Sequence, residues 1–237
     1  MAALRTWIWI VVSCHLVVLF GIPLIISRLI NRRLPWLIGR SWGVAELWLL
    51  KVMCGLSFSV EGEEHIGKTP CVALIKHSSA YETVAQLIIF PQQCWVLKQQ
   101  LIWTPFFGWA LMALGAIPIN RSAGRSAVTK VMAIGKERIE QGSWVTIFPE
   151  GTRVPAGATK RWGISGILLA QEARVDIVAV AHNAGYFWPK DGWTIYPGKI
   201  RFVIGKPINP VGQEPRELAE ELRSWVDAET EKLTPKG

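Results

Sequence analysis

The hydrophobic residues of this chain form long runs at its start and shorter, separated runs after about residue 57. The first run, Trp7–Ser27, contains no charged residue and is followed by Arg28. As an α-helix rising ~1.5 Å per residue, it would extend roughly 30 Å, about the thickness of the hydrocarbon core of a bilayer. The pattern therefore predicts a membrane helix at the start of the chain.

The second run, Leu34–Phe58, is interrupted by Arg40, Glu46 and Lys51. These charges disfavour a second span and favour a helix that lies in the membrane interface or packs on the rest of the protein. An ordinary amphipathic core helix is the alternative. We predict that residues 1–57 form a module of membrane-anchoring helices and that residues 58–237 form a separate domain.

Basic residues are unevenly distributed around the first run. Arg5 precedes it, whereas Arg28, Arg32, Arg33 and Arg40 follow it. Because Lys and Arg near membrane helices favour the cytoplasmic side, we predict a protein of the cytoplasmic (inner) membrane with most of the chain in the cytoplasm.

After residue 57, short apolar runs alternate with longer runs of helical spacing. This alternation predicts an α/β domain with a substantially parallel central sheet flanked by helices. The predicted strands are Cys71–Ile75, Trp95–Leu97, Ala116–Ile119, Trp144–Phe148, Ile177–Ala181 and Ile200–Ile204; the predicted helices are Thr83–Phe90, Pro105–Leu114, Ala127–Ile139, Ile164–Ala173 and Glu214–Leu233.

Charge and cysteine content narrow the possible partners and compartments. Lys and Arg number 26 against 18 Asp and Glu, a net charge of +8 that favours anionic lipid, a phosphorylated substrate or an acidic carrier protein. We expect no nucleic-acid partner, because no basic run coincides with a recognised binding motif. The four cysteines contain no C-x-x-C pair and are interpreted as free thiols.

A His and a Glu five residues apart, His77 and Glu82, follow the predicted strand Cys71–Ile75. In a tight turn, the carboxylate can accept a hydrogen bond from one ring nitrogen and leave the other nitrogen able to take a proton. Taken alone, this spacing is more often structural. We expect no acyl-serine intermediate on the neighbouring serines and no metal site, because the four histidines lack ligand spacing.

A second motif, Phe148–Arg153, reads Phe-Pro-Glu-Gly-Thr-Arg. It offers a Gly backbone, a hydroxyl and a guanidinium, which together can hold a phosphate. A base with an orienting acid and an anion-binding loop are suited to moving an acyl group onto a hydroxyl of a phosphate-bearing substrate.

Two further segments, 115–121 and 178–183, complete a set of four motifs in a defined order. With this set, the chain resembles the glycerolipid acyltransferase family over nearly its whole length. Within that family it is most similar to the bacterial 1-acyl-sn-glycerol-3-phosphate (lysophosphatidic acid) acyltransferases. The six-residue block Phe148–Arg153 is the most specific part of the resemblance.

The resemblance implies a role for each matching residue. His77 is implied to be the general base, and Glu82 its acidic partner, where the family more often has Asp. Ala179 stands where similar proteins usually have Pro. Residues implied to bind the substrate and its phosphate are Arg121, Glu150, Gly151, Thr152 and Arg153, with Lys98 as a weaker contact.

The resemblance also implies the reaction. A fatty acyl group would pass from acyl-CoA or acyl carrier protein (acyl-ACP) to the sn-2 hydroxyl of lysophosphatidic acid, giving phosphatidic acid, with no cofactor beyond this co-substrate. The catalytic domain would face the cytoplasm and contact anionic membrane lipid. The alternatives are another acceptor, such as glycerol 3-phosphate or a lyso-aminolipid, and a catalytically inactive membrane lipid-binding protein.

Overall fold

The computed structural model describes residues 1–235, except for the side chain of Arg121. Within this range the chain forms eight α-helices around one seven-stranded sheet. The helices are α1 Ala2–Ser27, α2 Leu34–Cys54, α3 Tyr81–Ile89, α4 Phe107–Ala113, α5 Arg125–Glu140, α6 Ser165–Ala173, α7 Ala184–Phe187 and α8 Pro215–Lys232. The strands are β1 Leu56–Glu61, β2 Val72–Ile75, β3 Gln93–Lys98, β4 Ile117–Ile119, β5 Trp144–Ile147, β6 Ile177–His182 and β7 Gly198–Ile204.

The strands lie in the order β1-β7-β6-β2-β5-β3-β4. Strand β2 runs parallel to β5 and β6, β3 runs parallel to β4 and β5, and β1 runs parallel to β7. Strands β6 and β7 are antiparallel. The prediction of an α/β fold with a substantially parallel sheet is confirmed. The carboxyl ends of β2, β5, β3 and β4 consequently meet at one edge of the sheet.

Each face of the sheet is covered by a separate set of helices. Along β2, Val72 and Leu74 belong to one buried cluster, whereas Ala73 and Ile75 belong to another. This alternation follows from the two-residue period of a strand. The first cluster includes apolar residues of α5, α6 and α8, and the second includes residues of α1, α2 and α3.

Strand β1 is the one strand of the described sheet that the sequence pattern did not predict. The apolar run Leu34–Phe58 contains both α2 and the start of β1, separated by Gly55 with φ +69° at the helix end. A left-handed residue here ends the helix at low cost because Gly has no Cβ. Position 57, where the two predicted domains meet, lies inside β1. The division into residues 1–57 and 58–237 stays a prediction.

Helix α2 packs on the domain and also presents apolar side chains to the outside. Its buried face includes Leu47 and Leu50, which join the core under β2. Leu37, Val44, Trp48 and Val52 are exposed on the same helix. Arg40 Nη1 donates to the carbonyls of Leu87 and Ile88 at the end of α3, at 3.1 and 3.0 Å. Arg40, one of the charged residues that interrupt the apolar run, thus joins α2 to α3 by hydrogen bonds.

Helix α1 is the one helix within residues 1–235 that is long and apolar enough to cross a membrane. The most apolar 18-residue window of this helix has a mean hydropathy of 2.5, and 17% of that window is buried inside the protein. Its exposed side chains include Trp7, Ile8, Leu19 and Ile22. An exposed apolar surface of this extent is typical of contact with lipid or with another protein.

The contact between α6 and β2 predicts a large effect of a single substitution. A Cβ at Gly166 would lie 2.6 Å from Leu74 Cδ2 and 3.3 Å from Ile147 Cδ1. We expect Gly166→Val to lower the free energy of unfolding by about 1–3 kcal/mol because the extra methyl groups have no room. Gly67→Val, at an exposed position, should change it by less than about 0.5 kcal/mol. Unfolding of both variants in detergent would measure this, and equal stabilities would contradict the packing described.

Candidate active site

His77 lies in the loop between the end of β2 and the start of α3. Its Nδ1 lies 2.9 Å from Glu82 Oε1. Because a carboxylate can only accept, Nδ1 carries the proton and Nε2 is the basic nitrogen of the ring. The ring stacks on Phe148 with a centroid distance of 4.1 Å and an interplanar angle of 22°. Its side chain is 14% exposed, so the imidazole is fixed in orientation and still accessible.

The Glu82 carboxylate is completely buried, and the hydrogen bonds of this loop converge on it. Its Oε1 also accepts from the backbone N–H groups of Ser78, at 2.9 Å, and Ser79, at 2.8 Å. Burial alone would raise the pKa of this carboxyl. The ring of His77, which donates to the carboxylate, and the Ser79 N–H outweigh that effect, and the pKa lies below its usual range. Glu82 is therefore an anion at neutral pH.

His182, at the end of β6, fixes the position of the residue before His77. Its Nε2 donates to the carbonyl of Lys76 at 2.7 Å, and its Nδ1 accepts from the N–H of Ala184 at 3.2 Å. Burial lowers the pKa of this His more than the nearby Glu82 carboxylate raises it. His182 is thus a neutral, doubly hydrogen-bonded ring. It holds the ends of the neighbouring strands β2 and β6 together.

The loop Phe148–Arg153 follows β5, the other neighbour of β2 in the sheet. Gly151 has φ +71°, and its N–H donates to the carbonyl of Phe148 at 3.0 Å, which closes a tight turn. The N–H of Val154 donates to the carbonyl of His77 at 2.7 Å. This bond joins the loop that carries the imidazole to the loop that carries Arg153. Thr152 is exposed.

Glu150 is buried within the protein. It is 4% exposed, and burial raises its pKa despite the nearby Lys76 ammonium. Lys76 is itself buried and lies 3.0 Å from Asp227 Oδ1 on α8. Arg223 on the same helix lies 2.8 Å from the other carboxylate oxygen of Asp227. The sequence motifs pointed to Glu150 but not to Lys76 or Asp227, because their contacts join segments far apart in the chain.

A cavity of about 440 Å³ opens beside the imidazole. His77, Lys98 and Arg153 are among the residues that line it. The remainder of the lining is mostly apolar and comes from α1, α2, α3, α4 and β3. It includes Val17, Phe20, Leu24, Val84, Leu87, Val96, Leu97, Leu101, Phe107, Leu111 and Leu114. The cavity therefore joins an imidazole and two cationic side chains to an apolar compartment.

The structure brings together most of the residues predicted for the site. Lys98 is the last residue of β3, the strand that lies next to β5. It pairs in register with Ile119 at the end of β4. Arg121 begins the short 3₁₀ turn after β4, so its backbone lies at the same sheet edge. Its side chain lies outside the described part of the structure.

Across residues 1–235, no three side chains of His, Cys, Asp or Glu are grouped to hold a metal ion.

Comparison with known proteins places the fold and the motifs in a family. The family model described as "Acyltransferase" matches residues 57–183, which contain all four sequence motifs. The chain belongs to this acyltransferase family. It is also similar to the "1-acyl-sn-glycerol-3-phosphate acyltransferase" of Pseudomonas aeruginosa, with 40% identity over 199 residues, 83% of this chain and 77% of that protein.

More distant relatives carry the same description. The yeast Saccharomyces cerevisiae "1-acyl-sn-glycerol-3-phosphate acyltransferase" is 31% identical over 189 residues, 75% of this chain and 61% of that protein. Among solved structures, the 1-acyl-sn-glycerophosphate (LPA) acyltransferase PlsC of Thermotoga maritima superimposes with a TM-score of 0.84 at 22% identity. The match covers 100% of this chain and 97% of that one, and it confirms the fold.

The environment of Glu82 predicts a pH-dependent effect on stability. Since its pKa is below the unfolded value near 4.5, the carboxylate stabilises the fold above that pH. The contribution disappears as the pH falls through the lower folded-state pKa. We expect Glu82→Gln to cost about 1–3 kcal/mol at pH 7. The difference from the unmodified protein should shrink as the pH falls below about 4.5.

Thermal unfolding in detergent at several pH values would measure this dependence. Glu64→Gln, at an exposed position, is the matched control and should leave stability within about 0.5 kcal/mol at each pH. A Glu82→Gln penalty that stays constant on acidification would show that the charge of Glu82 does not stabilise the loop.

Proposed function

We propose that this protein transfers a fatty acyl group from acyl-CoA or acyl-ACP to the sn-2 hydroxyl of lysophosphatidic acid, giving phosphatidic acid. The observation that carries the proposal is the cavity shared by His77, Arg153 and Lys98, in which a carboxylate-oriented base meets two cations and an apolar compartment. The names of the relatives from Pseudomonas aeruginosa and Saccharomyces cerevisiae support this choice of acceptor.

In the proposed mechanism His77 acts as the general base. Its Nε2 takes the proton from the acceptor hydroxyl while the hydroxyl oxygen attacks the thioester carbonyl. The resulting tetrahedral intermediate expels the thiol, and the imidazolium returns the proton to the leaving sulfur. A new ester bond replaces the thioester bond, and the imidazole is regenerated. A positioned base of this kind contributes about 10²–10⁴-fold to the rate.

Glu82 supports His77 in two ways. Its hydrogen bond to Nδ1 fixes the tautomer in which Nε2 is basic. Its negative charge stabilises the imidazolium that forms during the transfer. The two backbone N–H groups on the same oxygen keep the carboxylate in place, so the longer Glu side chain performs the role that Asp has in most of the family.

The phosphate of the acceptor would bind beside His77 at the carboxyl end of the sheet. Arg153 and Lys98 line the cavity there, and guanidinium groups bind phosphate through paired, charge-assisted hydrogen bonds. The backbone position of Arg121 is compatible with a third basic contact. Gly151 and Thr152 would shape the turn that presents Arg153, and Glu150 is buried in the same turn.

The apolar compartment would hold an acyl chain. Pockets of 300–1,000 Å³ lined mainly by apolar side chains are typical of ligand sites, and the volume of about 440 Å³ lies in this range. Because α1 and α2 form part of the wall, the chain would enter from the side of the protein that carries the exposed apolar residues. We infer that α1 and α2 anchor the protein in the cytoplasmic membrane, with the catalytic domain and anionic lipid headgroups on the cytoplasmic side.

The proposed role of His77 predicts a loss of turnover without loss of folding. We expect His77→Ala to lower kcat by about 10³-fold or more, because the acceptor hydroxyl would lose its proposed general base. Purified protein in lipid vesicles, labelled acyl-CoA or acyl-ACP, and lysophosphatidic acid would measure it. His15→Ala, at an exposed position on α1, is the matched control and should retain full activity. Substantial turnover by His77→Ala would exclude His77 as the base.

The proposed role of Arg153 predicts a change in acceptor affinity. We expect Arg153→Ala to raise the KM for lysophosphatidic acid roughly 10–100-fold, which is the loss of about 1.5–3 kcal/mol from a hydrogen bond to a charged group. The KM for the acyl donor should change much less.

Arg216→Ala, at an exposed position at the start of α8, is the matched control for this loss of charge. Glycerol 3-phosphate, a lyso-aminolipid and a monoacylglycerol without phosphate are the comparison acceptors. Equal use of the acceptor without phosphate would contradict the proposed phosphate site.

A further inference from the structure

A buried lysine stands directly before the proposed general base. Lys76 follows the last residue of β2, and its side chain is only 3% exposed. Its Nζ lies 3.0 Å from Oδ1 of Asp227 on α8, whose side chain is 19% exposed. Taking an ammonium group out of water costs much free energy, even when a carboxylate receives it. The position of this pair beside His77 therefore calls for a role other than filling space.

The side chains of Lys76 and His77 lie on opposite sides of the sheet. Val72 and Leu74 of β2 belong to the apolar cluster that includes residues of α8, and Lys76 continues this two-residue period. Its bond to Asp227 agrees with that direction. His77 instead lines the cavity, whose wall includes residues of α1, α2 and α3. Lys76 thus reaches α8 from behind the segment that carries the imidazole.

The main chain around Lys76 is fixed by bonds to two other segments. Its N–H donates to the carbonyl of Val180 at 3.1 Å, and its carbonyl accepts from His182 Nε2 at 2.7 Å. The carbonyl of His77 accepts from the N–H of Val154 at 2.7 Å. The peptide between Lys76 and His77 is therefore held by β6 and by the loop after β5. The ammonium adds a third point of attachment, on α8.

The carboxylate that receives this ammonium is itself fixed. Arg223, one turn earlier on α8, donates from Nη1 to Asp227 Oδ2 at 2.8 Å, so each carboxylate oxygen has a cationic partner. Glu150 is the other carboxyl near the Lys76 ammonium, and burial raises its pKa. A carboxyl that ionises less readily is the weaker counter-ion. Asp227 is consequently the main partner of Lys76.

The attachment of α8 to the domain does not require this pair. Leu218, Leu222 and Val226 of α8 are buried in the apolar cluster on the same side of the sheet. Replacing a buried ion pair by apolar side chains of similar size often leaves stability unchanged or raises it. An apolar contact would therefore serve a purely structural purpose. A directional ion pair fixes in addition where α8 holds the residue before His77.

We propose that Asp227 is a positioning residue for His77 and that it acts through the ammonium of Lys76. This inference rests on the proposed function, since it concerns the base of that reaction. Asp227 is not among the residues that line the cavity, so it acts on the imidazole only through its neighbour. A displacement of about 1 Å can lower a rate about 10²-fold. Loss of the bond should thus lower turnover and leave substrate binding largely intact.

The experiment removes the bond from each of its two ends. Asp227→Leu removes the carboxylate, and Lys76→Met removes the ammonium but keeps a long side chain. Asp227→Asn keeps an oxygen that can accept from Lys76. The full-length variants are assayed in lipid vesicles with lysophosphatidic acid and with acyl-CoA or acyl-ACP, whichever the unmodified protein uses. Each kcat is divided by the folded fraction of the same preparation, which Trp fluorescence measures.

We expect Asp227→Leu and Lys76→Met each to lower the corrected kcat about tenfold or more. The KM values for donor and acceptor should stay within about threefold, because the cavity keeps Arg153 and Lys98. Asp227→Asn should retain most of the corrected kcat.

Leu222→Ala is the matched control on the same helix. It leaves a gap in the apolar contact of α8 and should lower the unfolding temperature. Its corrected kcat should equal that of the unmodified protein. A loss of kcat as large as that of Asp227→Leu would overturn the inference, because general loosening of α8 would then explain both.

Lys76→Met decides the case in which Asp227→Leu does not fold. It leaves no unpaired ammonium in the interior, and Asp227 keeps its bond to Arg223. An unchanged corrected kcat of Lys76→Met would overturn the inference, and so would a folded Asp227→Leu protein with full turnover. No transfer by the unmodified protein from either donor would instead contradict the proposed function.

Discussion

The hydrogen bonding of one buried carboxylate determines the geometry of the whole site. Glu82 Oε1 receives the ring N–H of His77 and the backbone N–H groups of Ser78 and Ser79. These three donors compensate for the burial of the charge and fix the loop that joins β2 to α3. The orientation of the imidazole, its tautomer and its stacking on Phe148 all depend on this arrangement.

The parallel strands bring this loop together with other loops at one edge of the sheet. Because β2, β5, β3 and β4 lie side by side and point the same way, the residues that follow them share one edge of the sheet. His77, the loop with Arg153, Lys98 and the backbone of Arg121 come from four different strands in this way. Neighbouring β6 contributes His182, which ties its own end to that of β2. A cavity lined by His77, Lys98 and Arg153 thus forms from residues that are distant in sequence.

The sequence predicted those features that depend on nearby residues. The strand and helix periods indicated the α/β fold, and the spacing of His77 and Glu82, together with the other three motifs, led to the expectation that the two side chains interact. Strand β1 was missed because its apolar residues continue the run that forms α2, with only Gly55 between them. The pair of Lys76 and Asp227 joins residues 151 positions apart, and no local pattern carries that information. In the sequence, Glu46 was interpreted only as a charge that interrupts an apolar run. In the fold, it is one of the residues that line the cavity.

The wall of the cavity is shared between the domain and its first two helices. Trp9, Ser13 and Leu24 of α1 face the same compartment as His77. The segment proposed to hold the protein in a bilayer therefore also forms part of the wall of the cavity proposed as the reaction site. Removing α1 would open one side of this cavity to solvent, because Trp9, Ser13 and Leu24 would leave its wall. The same stretch of residues would thus serve both membrane attachment and the shape of the cavity.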